Sequence, residues 1–281
     1  YCTMDSLQLQ LTHYAYNITG SYEDPRDVVQ DVYLEVMNKP QENIENKKAY
    51  LTRSVINRAI NWKNRQKKFV GEYPGPWLPE PVATERADTA LVQKDILNYS
   101  LMVLLEKLNA QQRAVFILKE AFEYTHEEIA EILGLTEDNS RKILSRAKKE
   151  LTGTRVHDSS KVSTEYLHKY LDVIQSRDMK RLEQLLSDEI TVMSDGGGKV
   201  PAITKPLTGK QRVMAFVLGY YNKFYQFLRL ETGVVNHRPA LFFYDSNDNL
   251  VTCQIFIIDN DVVENMYFIR NPFKLKALQK N

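Results

Sequence analysis

Between Lys47 and Lys68 the chain carries Lys47, Lys48, Arg53, Arg58, Lys63, Arg65, Lys67 and Lys68 and no acid. Residues 1–45 hold Asp5, Glu23, Asp24, Asp27, Asp31, Glu35, Glu42 and Glu45 against only Arg26 and Lys39. A solvated helix face usually interleaves its signs, so a one-sign island of this length points to a polyanion as partner. Within it Asn57, Arg58, Asn61, Trp62, Lys63 and Arg65 bring cations, amides and one planar ring together. That set grips phosphates and stacks on unpaired bases. A plain solvated surface, with Trp62 in the core, is the competing reading. A second group follows later: Asn139, Ser140, Arg141, Lys142, Arg146, Lys148 and Lys149. Amides ahead of bases on one helix suit reading of base edges followed by phosphate contacts. Ser140 is the odd member, standing where a buried aliphatic side chain is usual.

Other chemistry is weaker. Gly196-Gly197-Gly198-Lys199 invites a phosphate-loop reading, but Met193 stands where the first glycine is needed and Val200 where Ser or Thr must meet magnesium. A tight, strained turn is the better reading, with Asp195 and Lys199 paired across it. Asp172, Asp195 and His237 are the candidates for acid–base work, and nothing in their spacing makes them converge. Cys2 and Cys253 lack zinc-site spacing and make no disulfide framework. No catalytic residue, metal or cofactor is expected.

These side chains need elements to hold them. Asp24-Pro25 reads as an N-cap and first helical residue, opening a helix over 24–37 with Val28, Val32 and Val36 in phase. A second helix runs from Lys48 to Lys68. The segment Tyr73-Pro74-Gly75-Pro76-Trp77-Leu78-Pro79-Glu80-Pro81 holds four of the ten prolines and must be extended. Trp77 inside it is expected to dock on a neighbouring domain. Helical patterning resumes at about Asp88 and runs to Leu151. Residues 126–147 within it fit a helix-turn-helix, with Thr125 and Glu128 as a capping box and Gly134 as the turn. From Thr164 a long helix is expected to about Leu186. Strand-like runs then follow at 190–193, 230–236, 240–244, 250–258 and 262–269, with turns at 245–249 and 259–261. Helix followed by mostly antiparallel strands predicts an α+β domain.

The whole chain has 281 residues and a formal net charge of +1. Neutrality seems to argue against a nucleic-acid binder, but it is cancellation between an acidic and a basic block. No stretch approaches the ~20 apolar residues of a membrane span, and no signal-peptide pattern opens the sequence. Cysteine usage fits a cytoplasmic protein.

Five separated motifs carry a family resemblance. Leu11–Tyr16, Gly20-Ser21 and Asp24–Leu34 resemble region two of bacterial sigma-70-family factors, most closely the extracytoplasmic-function group. Tyr50–Asn57 with Asn61 and Arg65 resembles the promoter-opening helix of that region. Residues 101–151 resemble region four. Gly75–Pro81, Asp195–Lys199 and Asn271-Pro272-Phe273-Lys274-Leu275 resemble signatures of the members that carry a SnoaL-like C-terminal extension, with Phe273 standing where an acidic residue is usual.

The resemblance implies a multidomain chain: two all-α sigma domains and an α+β SnoaL-like cone with a curved antiparallel sheet. It implies sigma region two at 1–69, a linker and lead-in helix at 70–100, and region four at 101–152. A second linker spans 153–163, and the regulatory domain spans 164–281. Core RNA polymerase and promoter DNA are the implied partners. Asn57, Arg58, Asn61, Trp62, Lys63 and Arg65 would hold the opened −10 element, and the set from Asn139 to Lys149 would read the −35 element. Asp24, Asp27, Gln30 and Asp31 would meet the polymerase. Trp77, Leu78, Pro79, Asp195, Gly196, Gly197, Gly198, Lys199, Asn271, Pro272, Lys274 and Leu275 are expected to form one regulatory interface, so that no separate anti-sigma factor is required. A small molecule in the cone is a further partner the fold allows. Phe216, Tyr220, Tyr221, Phe224, Tyr225, Phe227, Phe242, Phe243 and Tyr244 would line or fill it, core packing being the plainer role. The competing functions are a small-molecule-sensing DNA-binding regulator and a SnoaL-like enzyme fused to a DNA-binding module.

Overall fold

A computed structural model describes residues 6–37, 46–70, 73–84, 95–152 and 164–279. The chain divides into two compact units. One comprises Tyr1–Glu72, Ala87–Leu97 and Leu101–Arg155; the other comprises Tyr73–Arg86, Asn98–Ser100 and Val156–Asn281. The expected linker at 153–163 lies outside the described residues.

The first unit is helical: α1 (Ser6–Thr19), α2 (Glu23–Met37), α3 (Lys47–Val70), α4 (Tyr99–Leu104), α5 (Ala110–Phe116), α6 (His126–Leu133) and α7 (Glu137–Leu151). The start of α2 differs from expectation. Asp24 is already helical and Pro25 is the third residue of the first turn. A proline is tolerated there because the first backbone N–H groups of a helix have no intrahelical partner. One hydrophobic cluster runs through the unit. It joins Leu11 and Ile18 of α1, Val29 and Val32 of α2, Leu51 and Val55 of α3, Val115 of α5, Ile129 of α6 and Leu144 of α7. The Tyr14 ring stacks on Phe122 at 4.1 Å, fastening α1 to the turn that follows α5.

The helix-turn-helix is locally encoded. Thr125 Oγ1 accepts from Glu128 N at 3.2 Å, and Glu128 Oε2 accepts from Thr125 N at 2.7 Å. Gly134 takes φ +65°, the left-handed cap that lets Leu135 N donate to Ala130 O at 2.9 Å. Thr136 then caps α7 through Asn139 N at 3.2 Å. The apolar stripe Ile143, Leu144, Ala147 and Leu151 is buried.

The second unit is α+β. The long helix expected from Thr164 to Leu186 is two helices, α8 (Thr164–Ser176) and α9 (Met179–Leu185), and Leu186 already begins a strand. Arg177 adopts φ +56°, which breaks the helix, and Asp178 recaps the chain by accepting from Arg181 N at 3.1 Å. Then come β1 (Leu186–Asp195), β2 (Leu207–Thr208), α10 (Lys210–Lys223), β3 (Arg229–Val235), β4 (Arg238–Tyr244), β5 (Leu250–Asp259), β6 (Val262–Ile269) and α11 (Pro272–Leu275). The sheet order is β2-β1-β6-β5-β4-β3. Neighbours pair antiparallel except β1 and β6, which run parallel, Asp195 standing opposite Ile269. These two strands are distant in sequence, so no hairpin turn imposes an antiparallel sense. The mixed sheet thus departs from a wholly antiparallel one.

α8 and α10 cover the concave face, with Leu167, Tyr170, Val213, Val217, Phe243 and Phe256 in its core. The free space at its heart, beside Tyr170, Tyr220, Tyr225, Phe243 and Gln254, is about 10 Å³, the size of about one water. Of the aromatics expected in the cone, Tyr225 and Phe243 stack at 4.2 Å inside it. Phe224 and Phe227 are exposed instead. Asp172 is exposed on α8, Asp195 ends β1, and His237 sits in the β3–β4 turn.

Candidate nucleic-acid interface and linker latch

The proline-rich segment belongs to the second unit, and the chain around Asp195 is built to receive it. The Asp195 side chain is 1% exposed and accepts four hydrogen bonds. Oδ1 takes Tyr73 Oη at 2.5 Å and Gly197 N at 3.0 Å. Oδ2 takes Leu78 N at 2.9 Å and Lys274 Nζ at 2.7 Å. Its backbone carbonyl accepts from Arg270 N and Asn271 N, at 2.8 and 2.9 Å. A buried carboxylate persists only when paired and fully hydrogen-bonded, and here both conditions hold. The Lys274 ammonium also donates to Leu78 O and lies 3.8 Å from the centre of the Trp77 ring, a cation–π contact. Burial, with the Asp195 carboxylate beside it, pushes the Tyr73 hydroxyl pKa up, so it stays a donor.

Residues at both ends complete the contact. Asn271 Nδ2 donates to Tyr73 Oη at 3.0 Å, and its Oδ1 caps α11 by accepting from Phe273 N at 3.1 Å. Gly197 takes φ +62°, and a Cβ there would lie 2.3 Å from the Asn271 side chain. Any side chain would therefore prise the two motifs apart. The expected Asp195–Lys199 pair does not form. Lys199 is exposed, because Val200 N closes the turn on Gly196 O at 3.2 Å and leaves Lys199 on its outside. Pro272 is exposed, while Pro79 and Leu275 are buried and Trp77 is half-buried.

Farther along, the segment pairs with the β3–β4 turn. Val82 N donates to Asn236 Oδ1 and Asn236 N to Val82 O, both at 2.9 Å. Thr84 N donates to Val234 O at 3.0 Å. Tyr99 N donates to Asn236 O at 3.1 Å, and Tyr99 Oη to Pro79 O at 2.8 Å. Sequence reasoning missed Tyr73, Tyr99 and Asn236. Tyr73 opens the proline run and was recoverable from that position; the other two show no local signal.

In the helical unit the expected nucleic-acid set is split. On α3, Asn61 and Arg65 are exposed and Trp62 is half-buried. Arg58 pairs with Glu35 at 2.5 Å. Asn57 Nδ2 donates to Arg53 O at 2.9 Å and to Ile132 O of α6 at 3.0 Å. Lys63 is buried: its Nζ donates to Thr19 O at 2.9 Å and to Glu106 at 2.8 Å. On α7, Asn139, Arg146 and Lys149 are exposed. Arg141 pairs with Glu137, Lys142 with Asp138 at 2.9 Å and Lys148 with Glu120 at 2.9 Å. Ser140 turns inward, is fully buried, and lies 2.9 Å from His126 Nδ1. It ties α7 to α6 and does not face outward with its neighbours. On α2, Asp27, Gln30 and Asp31 are exposed together with Leu34. Nothing is described of the Asp24 side chain.

Residues 4–69 match the sigma-70 region 2 family and residues 99–151 match sigma-70 region 4. Over 228 residues the chain is 31% identical to the ECF RNA polymerase sigma factor SigJ of Mycobacterium tuberculosis, covering 78% of this chain and 72% of SigJ. The chain belongs to the extracytoplasmic-function (ECF) sigma factors. The crystal structure of SigJ superposes on this sigma factor with a TM-score of 0.77 at 26% identity, covering 97% of this chain and 96% of SigJ. RNA polymerase sigma factor YlaC of Bacillus subtilis is 26% identical over 151 residues, covering 50% of this sigma factor and 83% of YlaC. The second unit is the SnoaL-like α+β domain of such a factor. Sigma factors bind core RNA polymerase and promoter DNA and catalyse no reaction of their own. Among the described residues no helix is long and apolar enough to cross a membrane.

Proposed function

We propose that this sigma factor is regulated in cis, its SnoaL-like domain holding the linker that joins region two to region four. The observation that carries the reading is the Asp195 carboxylate, which binds Tyr73 and Leu78 of the linker and Lys274 of the C-terminal tail at once. The linker is bound again at Val82 and Thr84, and Tyr99 opens the region-four match. Anchoring a connector at both ends restricts the separations its two modules can reach. Promoter binding needs one particular separation, so the held linker opposes it and release permits it. In this reading the chain carries its own inhibitor, and no separate anti-sigma factor is required.

The contact roles follow the surfaces. Asn61, Trp62 and Arg65, joined by Asn57, Arg58 and Lys63 once their internal partners let go, hold the −10 strand. Asn139, Arg141, Lys142, Arg146, Lys148 and Lys149 serve the −35 duplex, with Ser140 setting the helix. Asp27, Gln30 and Asp31, with Asp24, meet the polymerase. Transcription by purified core polymerase tests the regulatory reading. A Lys274→Met chain, which loses the cation between Asp195 and Leu78, should yield more promoter-dependent transcript than the parent. Equal yield would count against it.

A further inference from the structure

We propose that Glu106 is an internal anionic competitor of promoter DNA, occupying Lys63 in the place a phosphate would take. The inference rests on the reading of Lys63 as a DNA contact. Glu106 follows α4 in the turn Leu105–Lys107 and is half-buried. Its Oε2 lies 2.8 Å from Lys63 Nζ. Its Oε1 pairs with Arg113 of α5, whose guanidinium is fully buried and also donates through Nε to Asn17 O at 2.8 Å. Lys63 in turn donates to Thr19 O at 2.9 Å. Two cations from different helices and two carbonyls at the end of α1 are thus gathered around one carboxylate. Burial raises the Glu106 pKa, but Arg113 and Lys63 outweigh it and hold the carboxyl below its ordinary range.

The placement is selective. Arg113 has no exposed surface and needs Glu106 for charge balance alone. Lys63 sits on the same helix as exposed Asn61 and Arg65, on the face sequence reasoning assigned to single-stranded DNA. Asn57, one helical step earlier, is likewise taken by Ile132 O of the helix-turn-helix. Region four therefore occupies two of the six side chains expected to bind DNA. A phosphate can recruit Lys63 only by displacing Glu106, which stays charged and satisfied on Arg113.

Binding of the full-length chain to a fluorescent, short single-stranded oligodeoxynucleotide of mixed sequence tests this across a salt series. Glu106→Gln should bind roughly tenfold tighter, the worth of one charge-assisted contact. Its slope of log affinity against log salt should steepen by about 0.7, one more phosphate neutralised. Both gains should vanish in Glu106→Gln/Lys63→Gln. Glu165→Gln, which removes an exposed acid paired with Lys169 in the other unit, should do nothing. A gain no larger than that of Glu165→Gln, or one that persists in the Lys63→Gln background, overturns the proposal. Should Glu106→Gln not fold, Glu106→Asp keeps the charge but withdraws it by one methylene; it should show a smaller gain, and no gain overturns the proposal equally. Lys63→Gln in complex with core polymerase separates the two layers. If it leaves promoter binding unchanged, the DNA reading of Lys63 falls and the competitor with it. If it weakens binding while Glu106→Gln gains nothing, only the competitor falls.

Discussion

The Asp195 carboxylate bonds Lys274, 79 residues away, at 2.7 Å, and not Lys199 in its own turn. Both partners are almost wholly buried, the side chains 0% and 5% exposed. Removing one partner of such a pair strands the other charge without water, at a cost of about 3–5 kcal/mol. Asp195→Ala should lower the stability of the SnoaL-like domain by that order. Asp195→Asn/Lys274→Met, which removes both charges and keeps the shape, should cost much less. Urea unfolding followed by tryptophan fluorescence reads the difference, because Trp77 lies on Lys274.

Gly197 is the position where the turn cannot carry a side chain. Its φ of +62° alone costs a non-glycine residue about 1–2 kcal/mol, and the added methyl would overlap Asn271. Gly197→Ala should therefore lower the melting temperature and expose the linker to protease. Ala substitution at the solvent-facing Lys199 should do neither.

The Glu106 carboxyl gives a pH dependence of defined sign. Its pKa is lower folded than its ordinary value of 4.5. Stability from it is therefore present in full above that value and is lost as pH falls through the lower folded one. The urea midpoint of the parent chain should fall further than that of Glu106→Gln on going from neutral pH to well below 4.5. Parallel curves would contradict the ion-pair geometry.

Asp27 and Asp31 stand exposed on α2 near Leu34, which is 59% exposed. Reversing both charges, Asp27→Lys/Asp31→Lys, should abolish assembly with core polymerase on gel filtration. Folding should be unaffected, since neither side chain is buried.

Periodicity and capping made the helix-turn-helix legible, because Thr125, Glu128 and Gly134 act within a few residues of one another. The strands after 186 were legible from their β-branched and aromatic runs. The break at Arg177 was not, since a positive φ at arginine has no sequence signature. The two sites divide in the same way. The linker, the glycine turn and the tail were each visible as unusual local sequence, and they lie at one carboxylate. The pairing of that carboxylate with Lys274 was not visible, because only the fold decides which of two lysines reaches a buried acid. Lys63 was read as a surface base for the same reason. A run of cations is apparent in the sequence, whereas the acid that neutralises one of them, Glu106, comes from a distant turn.

The measurement that bears most directly on cis regulation is transcription by core polymerase with the linker freed from its own side. Tyr73→Phe/Trp77→Ala leaves the Asp195–Lys274 pair in place and removes what the linker offers it. Limited proteolysis within residues 73–84 verifies release. The account predicts faster cleavage together with higher promoter-dependent output than the parent chain. Faster cleavage with unchanged output would contradict it.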